Sequence, residues 1–355
     1  MATAAGIQML ELNGVMSRAE KVRFDLVDPS GRVLGELNPI VPCTIENDSS
    51  QQIKRKLSNF RLAASEFNEV NPLVHRVRPS WVLSTGDEWP EGEFLFADAQ
   101  TGRYSYGRTL TATLVDKGLL LGQTLAQPLS FPKGTTASAA IVATVNAAGI
   151  YGASIAPSSY TFGSPLAYPQ GGSGVTYAKV LSDICAKAGY YDPYFDNAGV
   201  LQVRSTVTVA SVTPSLNYVD GGRIIAGSIT ESNDLLAAPN RFLVIDTSAT
   251  TGAVAYEWTI PASAPHSYEN RGFYITHTIE APGVGNVTQA EAVGAAYYAS
   301  NPWAYETVVF SSPADPRHDT FDVINFRGAN YLETKWSLVC APGGPMTHTG
   351  VRVYV

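Results

Sequence analysis

The sequence predicts a mainly β protein with one small α+β insert. Three observations point there. Residues 20–125 repeat short alternating apolar and polar runs separated by turn residues, the pattern of half-buried strands. Residues 126–205 switch to helical periodicity around a Gly-, Ser- and Pro-rich segment. After residue 205 the strand pattern returns and runs to Val355 with one helical interruption. These switches divide the chain into 1–125, 126–205 and 206–355, and 355 residues suit two or three domains of roughly 100–200 residues each.

In the first region, Lys21–Val27 sets Val22, Phe24 and Leu26 against Lys21, Arg23 and Asp25. Asp28-Pro29-Ser30-Gly31 turns the chain into Val33-Leu34. Thr44–Asn47 and Gln52–Leu62 form a second pair around Asp48-Ser49-Ser50. The basic triplet Lys54-Arg55-Lys56 within it is expected on a solvated strand face or at a subunit contact, before any ligand site. Val74–Leu83, Glu93–Ala97 and Tyr104–Val115 continue the strands, with Asp98–Gly102 as a hairpin loop.

The insert opens with a helix over Thr135–Ala148, capped by Thr135 or Thr136. Gly152–Gly174 carries few strong elements. In Thr176–Arg204, Tyr177, Val180, Leu181, Ile184, Cys185 and Ala188 share one helical face. Gly189 stands where a left-handed C-cap belongs. Tyr191–Phe195 and Val200–Arg204 then pair across Asp196–Gly199, so a helix feeds a β-hairpin.

In the last region Gly227–Asn233, Arg241–Asp246, Ala253–Trp258 and Gly272–Glu280 are strand-like. Thr288–Asn301 is a helix opened by a Thr288/Glu291 capping box, with Ala292, Ala295, Ala296 and Ala299 as a close-packing face. Thr307–Phe310, Thr320–Phe326, Lys335–Cys340 and Gly350–Val355 close the chain as strands, the last tied into a sheet.

Composition bounds the function. Hydrophobic residues make up 45% of the chain and charged residues 15%, as in a subunit of a permanent assembly, although β-rich monomers share that balance. The net charge of −7 and the lack of a further Lys/Arg cluster argue against a nucleic-acid-binding surface. Cys43, Cys185 and Cys340 are expected as reduced, buried thiols. No signal peptide and no apolar run of ~18 residues is found, which implies a chain folded in a reducing cytoplasm without a membrane span.

Catalytic chemistry is hard to assemble. His75, His266, His277, His318 and His348 form no H-E-x-x-H, H-x-H or H-x-x-x-H motif. Arg317-His318-Asp319 sets a base beside a carboxylate, but neighbours on an extended segment point apart, and a polar loop is expected there. Asp87, Glu88, Glu91 and Glu93 crowd one stretch without the fixed Gly and terminal Glu of an EF-hand, so a solvated loop is expected rather than a Ca²⁺ site or an acid pair. Gly171-Gly172-Ser173-Gly174 lacks the Lys-Ser/Thr of a phosphate loop. No catalytic, metal or cofactor-binding residue is assigned, and no enzyme is expected.

Four stretches together resemble the tail hub, or baseplate hub, proteins of tailed bacteriophages and related phage-derived tails. They are IENDSSQQIKRKLSNFRL, then GEFLFADAQ with YGRTLTATLVDKGLLL, then VLSDICAKAGYYDPYFDNAGVLQVR, and finally SITESNDLLAAPNRFLVIDTS followed by QAEAVGAAYYASN and DTFDVINFRG. The likeness spans residues 14–355, and the first 13 residues have no counterpart. It implies two β-barrel-like tube domains arranged as a pseudo-repeat, the first (1–125) with an N-terminal arm, around an inserted α+β domain. It implies a homotrimeric ring that joins the sixfold distal tail protein ring to a threefold tip. The implied partners are that ring, the C-terminal end of the tape measure protein, tail tip or fibre and receptor-binding proteins, and DNA passing through the lumen. The implied place is the virion tail, assembled in the host cytoplasm, with no cofactor. Many hubs carry C-terminal fibre or peptidoglycan-cleaving domains; here such an activity is expected on a separate protein.

Two other readings compete. A carbohydrate- or receptor-binding β protein is motivated by Trp81, Trp89, Trp258, Trp303 and Trp336, with Trp81 and Trp89 flanking the acidic stretch as a stacking platform. A secreted glycoside hydrolase would use that stretch's carboxylates, and the lack of a signal peptide speaks against it.

Overall fold

The computed structural model describes residues 19–352 apart from 68–69, 84, 105–106, 172–173, 208, 210–211, 221, 235, 237, 247–253, 282–283, 285 and 301–305. Trp303 and the end of the last predicted strand, Val353–Val355, lie outside the described residues, as do two of the glycine-loop residues, Gly172 and Ser173.

The first region is antiparallel β. Its strands are β1 (Ala19–Val27), β2 (Val33–Leu37), β3 (Cys43–Asp48), β4 (Arg55–Ala63), β5 (Arg76–Leu83), β6 (Glu88–Pro90), β7 (Phe94–Tyr104) and β8 (Gly107–Asp116). The β1–β2 turn closes because Asp28 Oδ1 accepts from the Ser30 and Arg32 N–H groups while Gly31 takes φ +86°. Asp98–Gly102, expected as a loop, belongs to β7 instead. Its pairing with β8 continues to Tyr104↔Gly107 beyond a bulge between Phe96 and Asp98, so the strands extend past the polar residues.

The insert contains β9 (Leu129–Phe131), α1 (Ala137–Ala147), β10 (Ser154–Ile155), β11 (Leu166–Tyr168), α2 (Tyr177–Ala188), β12 (Tyr194–Phe195) and β13 (Leu201–Val203). Thr136 caps α1 and Thr176 caps α2, each hydroxyl accepting a first-turn N–H. Gly189 adopts the left-handed conformation and ends α2, and β12 pairs with β13 as the hairpin that follows. The buried face of α2, Tyr177, Val180, Leu181, Ile184 and Cys185, packs against Ile141 and Val145 of α1 in one apolar cluster.

The last region supplies β14 (Leu216–Tyr218), β15 (Thr230–Asn233), β16 (Arg241–Asp246), β17 (Val254–Thr259), β18 (Thr276–Glu280), α3 (Val287–Ser300), β19 (Glu306–Pro313), β20 (Val323–Phe326), β21 (Ala329–Cys340) and β22 (Pro345–Arg352). Strands β17-β16-β18 form a separate sheet. Helix α3 packs on it so closely that a Cβ on Gly294 would stand 2.9 Å from Trp258 Cβ. The cap of α3 is Asn286, whose Oδ1 accepts from Gln289 N–H, and not Thr288. Val287 is already helical, so Thr288 lies inside the first turn. Strand β20 begins at Val323, because Thr320 and Phe321 form a turn and Phe321 takes φ +62°.

The first β region and six strands of the last, β14, β15 and β19–β22, form one sheet. Its strand order is β15-β19-β22-β21-β3-β4-β8-β7-β5-β1-β2, with β14, β20 and β6 attached beside this path. The seam is β3 against β21, antiparallel from Cys340↔Cys43 to Lys335↔Asp48. Phe24, Ile45, Leu57, Phe60, Trp81 and Leu114 from the first region share a core with Trp336, Leu338 and Met346 from the last. All three cysteines are buried and free.

Candidate functional site

Three regions meet on one side chain, Arg55, which is 1% exposed. Its Nη1 donates to Asn197 of the insert and its Nη2 to Asp319 of the last region. The guanidinium carbon lies 5.4 Å from the Trp336 ring centroid. Asn197 Nδ2 in turn donates to His318 O at 2.9 Å, and Arg204 Nη2 to Thr320 O at 2.7 Å. The solvated basic face expected at residues 54–56 is therefore corrected. Alternation along β4 turns Arg55 inward with Leu57 and leaves Lys56 outside, and Lys54 is buried against Ser49 O.

The acidic stretch is also corrected. Asp87 and Glu88 are exposed, and Glu88 pairs with Arg23. Glu91 is 1% exposed, and burial pushes its carboxyl well above the usual range despite the Arg55 charge. Glu93 is buried beneath Arg76 (2.6 Å), Arg78 (3.2 Å) and Lys117 (3.1 Å). Burial works upward on Glu93, but these three cations hold it below the usual carboxylate range. Neither glutamate presents a carboxyl to a sugar in an open cleft. Trp81 is fully buried opposite Trp89, which packs half-buried on the same core, so the pair is no stacking platform.

Arg317-His318-Asp319 forms no solvated loop. Arg317 makes a two-point ion pair with buried Asp315, while His318 lies beside Glu333 and His348. His318, Glu333 and His348 are all 0–1% exposed, and their donor atoms lie within 4.8 Å of one another. His318 Nδ1 faces Glu333 Oε2, and His348 Nδ1 stands 2.7 Å from Glu333 Oε1. Burial lowers the affinity of His318 for its proton, but the Glu333 charge and hydrogen bond outweigh it, so its pKa is raised. Burial keeps His348 below its ordinary value. Sequence reading missed the trio because its members are 15 residues apart in the chain, at no helical or strand spacing. Only the β21–β22 register brings the last two together.

Among the described residues, the main path of the long sheet ends in β2 and β15. Residues 33–36 and all of β15 are exposed, and Val33 and Leu34 expose apolar side chains at 51% and 41%.

No family model and no curated protein matches the chain. Solved structures do. The tail protein from Neisseria meningitidis MC58 aligns with a TM-score of 0.66 at 11% identity, covering 94% of this chain and 98% of that one. The 43 kDa tail protein of prophage MuSo2 from Shewanella oneidensis aligns with a TM-score of 0.63 at 12% identity, covering 93% and 98%. The E. coli c3393 protein, described as a type VI secretion component similar to T4 tail proteins gp27 and gp5, aligns with a TM-score of 0.53 at 9% identity, covering 92% and 76%.

The chain has the phage tail-protein fold. Coverage of 94% leaves too few residues over for the insert to lie outside the match, so the α+β module is part of the tail-protein fold. No described helix is long and apolar enough to cross a membrane.

Proposed function

We propose that the chain is the structural hub of a phage tail tip or baseplate. Three copies close a ring that joins the sixfold tube, through the distal tail protein, to the threefold tip and its receptor-binding apparatus. The lumen passes DNA and meets the end of the tape measure protein. Residues 1–125 and 206–355 act as the two tube domains and 126–205 as the inserted domain. The observation that carries this reading is the end-to-end match to tail proteins, together with a seam, β3–β21, that already joins the two β regions edge to edge. The edges β2 and β15, at the two ends of the long sheet's main path, are offered to neighbours: an open edge pairs or aggregates, and a ring leaves neither exposed. The interface expected of such an obligate assembly is of the order of 2,000 Å² or more per pair. Native mass spectrometry of the purified chain tests the proposal, with a trimer expected.

The receptor-binding alternative loses its platform because Trp81 is in the core. It remains only as an added role of the ring's outer surface.

A further inference from the structure

We propose that His318, Glu333 and His348 form a binding site for one divalent transition-metal ion, with zinc as the best match to two imidazoles and a carboxylate. Nothing in the hub reading requires it, so the two stand or fall separately.

The fold delivers the donors from three segments. Phe310, His348 and Trp336 stand in one register row across β19, β22 and β21. Glu333 is three residues from Trp336 and would face the other side of a regular strand. The register shift between Glu333 and Lys335 returns it to the same face. Opposite Glu333 stands Gly350, where a Cβ would meet Tyr331 Cβ at 3.0 Å, so no side chain competes for the space. The turn-rich segment after β19 lays His318 over the pair. Phe310 stacks on His348 with centroids 4.8 Å apart, and Tyr218 is fully buried against both histidines.

The far nitrogens are held as a metal site holds them. Tyr218 Oη is 2.6 Å from His318 Nε2, and Ser312 Oγ is 2.8 Å from His348 Nε2. Ligating imidazoles are oriented in this way, by a partner on the nitrogen that does not bind metal. Ser312 Oγ also stands 2.8 Å from Pro313 O, which fixes the hydroxyl beside His348. Buried Asp315 and half-buried Asp322 add negative potential at His318. A zinc ion sits about 2.0–2.2 Å from nitrogen and carboxylate donors, which needs donor atoms roughly 3 Å apart, and small side-chain rotations reach that. Binding replaces the hydrogen bonds between the imidazoles and Glu333 and ties the segment carrying Asp319 to β21 and β22.

The test uses the full chain, purified without chelator. Elemental analysis and native mass spectrometry are expected to find about one zinc per chain, with at least a tenfold loss of affinity in Glu333→Gln and His348→Gln. Ser312→Ala keeps every ligand and is expected to weaken binding roughly tenfold. Should the ligand variants not fold, the wild-type chain decides. After chelation, added Zn²⁺ at a hundredfold excess over Kd is expected to raise Tm by roughly 2 °C or more, and Co²⁺ to give visible ligand-field bands. A folded chain that is purified metal-free, and whose Tm none of Zn²⁺, Co²⁺, Ni²⁺ and Mn²⁺ moves, overturns the proposal. So does metal binding that both ligand variants retain.

Discussion

Arg55 Nη2 donates to Asp319 Oδ1 across 264 residues of chain, and that one pair ties the first β region to the segment leading into β20. The guanidinium is buried, and its other arm holds Asn197 of the insert. Truncation leaves the half-buried carboxylate and amide without this donor. Arg55→Ala is expected to lower the unfolding free energy by about 3–5 kcal/mol. Arg55→Lys recovers only part, because a compact ammonium does not span both acceptors as the planar fork does. Urea midpoints measure both. A loss below about 1 kcal/mol in Arg55→Ala contradicts a load on this joint.

Glu93 makes the chain acid-sensitive. Its folded-state pKa lies below the unfolded one, despite burial, because of Arg76, Lys117 and Arg78. Its stabilisation is therefore complete above the unfolded value of about 4.3 and is lost as pH falls through the folded value. The stability gap between wild type and Glu93→Gln is expected to be widest at neutral pH and to close on acidification. Urea titrations over a pH series read the gap, and a gap that widens towards acid contradicts the assignment.

Glu91 behaves in the opposite way. Burial pushes its carboxyl well above the usual carboxylate range, and Oε1 has no hydrogen-bond partner among the described residues. Glu91→Gln is nearly the same size and removes only a charge that burial already disfavours, so the expected stability change is within about 1 kcal/mol. No hydrolysis of purified cell-wall polymer is expected from either form. Release of reducing ends that disappears in Glu91→Gln reinstates the glycosidase reading.

The open edges predict a covalent trap. Leu34 of β2 and Ser232 of β15 are exposed, at opposite ends of the long sheet. If β2 of one copy meets β15 of the next, Leu34→Cys with Ser232→Cys yields disulfide-linked dimers and trimers on oxidation. Each single variant yields no trimer. Denaturing electrophoresis without reductant reads the ladder, and monomer alone places the contact elsewhere.

Much of this architecture was legible. The Asp28–Gly31 turn, the capped helix Tyr177–Ala188 with Gly189 behind it, and the hairpin after it follow from local rules, and local rules suffice where neighbours in sequence are neighbours in space. The polar interior was not. Arg55, Glu91, Glu93 and His318 read as solvent-facing because charge is usually outside, and their partners stand far along the chain. For Arg55 the signal was present: the alternation Arg55, Leu57 marks an inward row on β4. For the His318–Glu333–His348 trio no local signal exists, since a bulge in β21 decides which way Glu333 points.

The ring is tested most directly by the rotational symmetry of the purified full-length protein in electron micrographs. End-on class averages are expected to show three copies closed around a central channel, with pseudo-sixfold modulation from two β domains per chain. A stable monomer at micromolar concentration, or particles with no threefold axis, contradicts the hub.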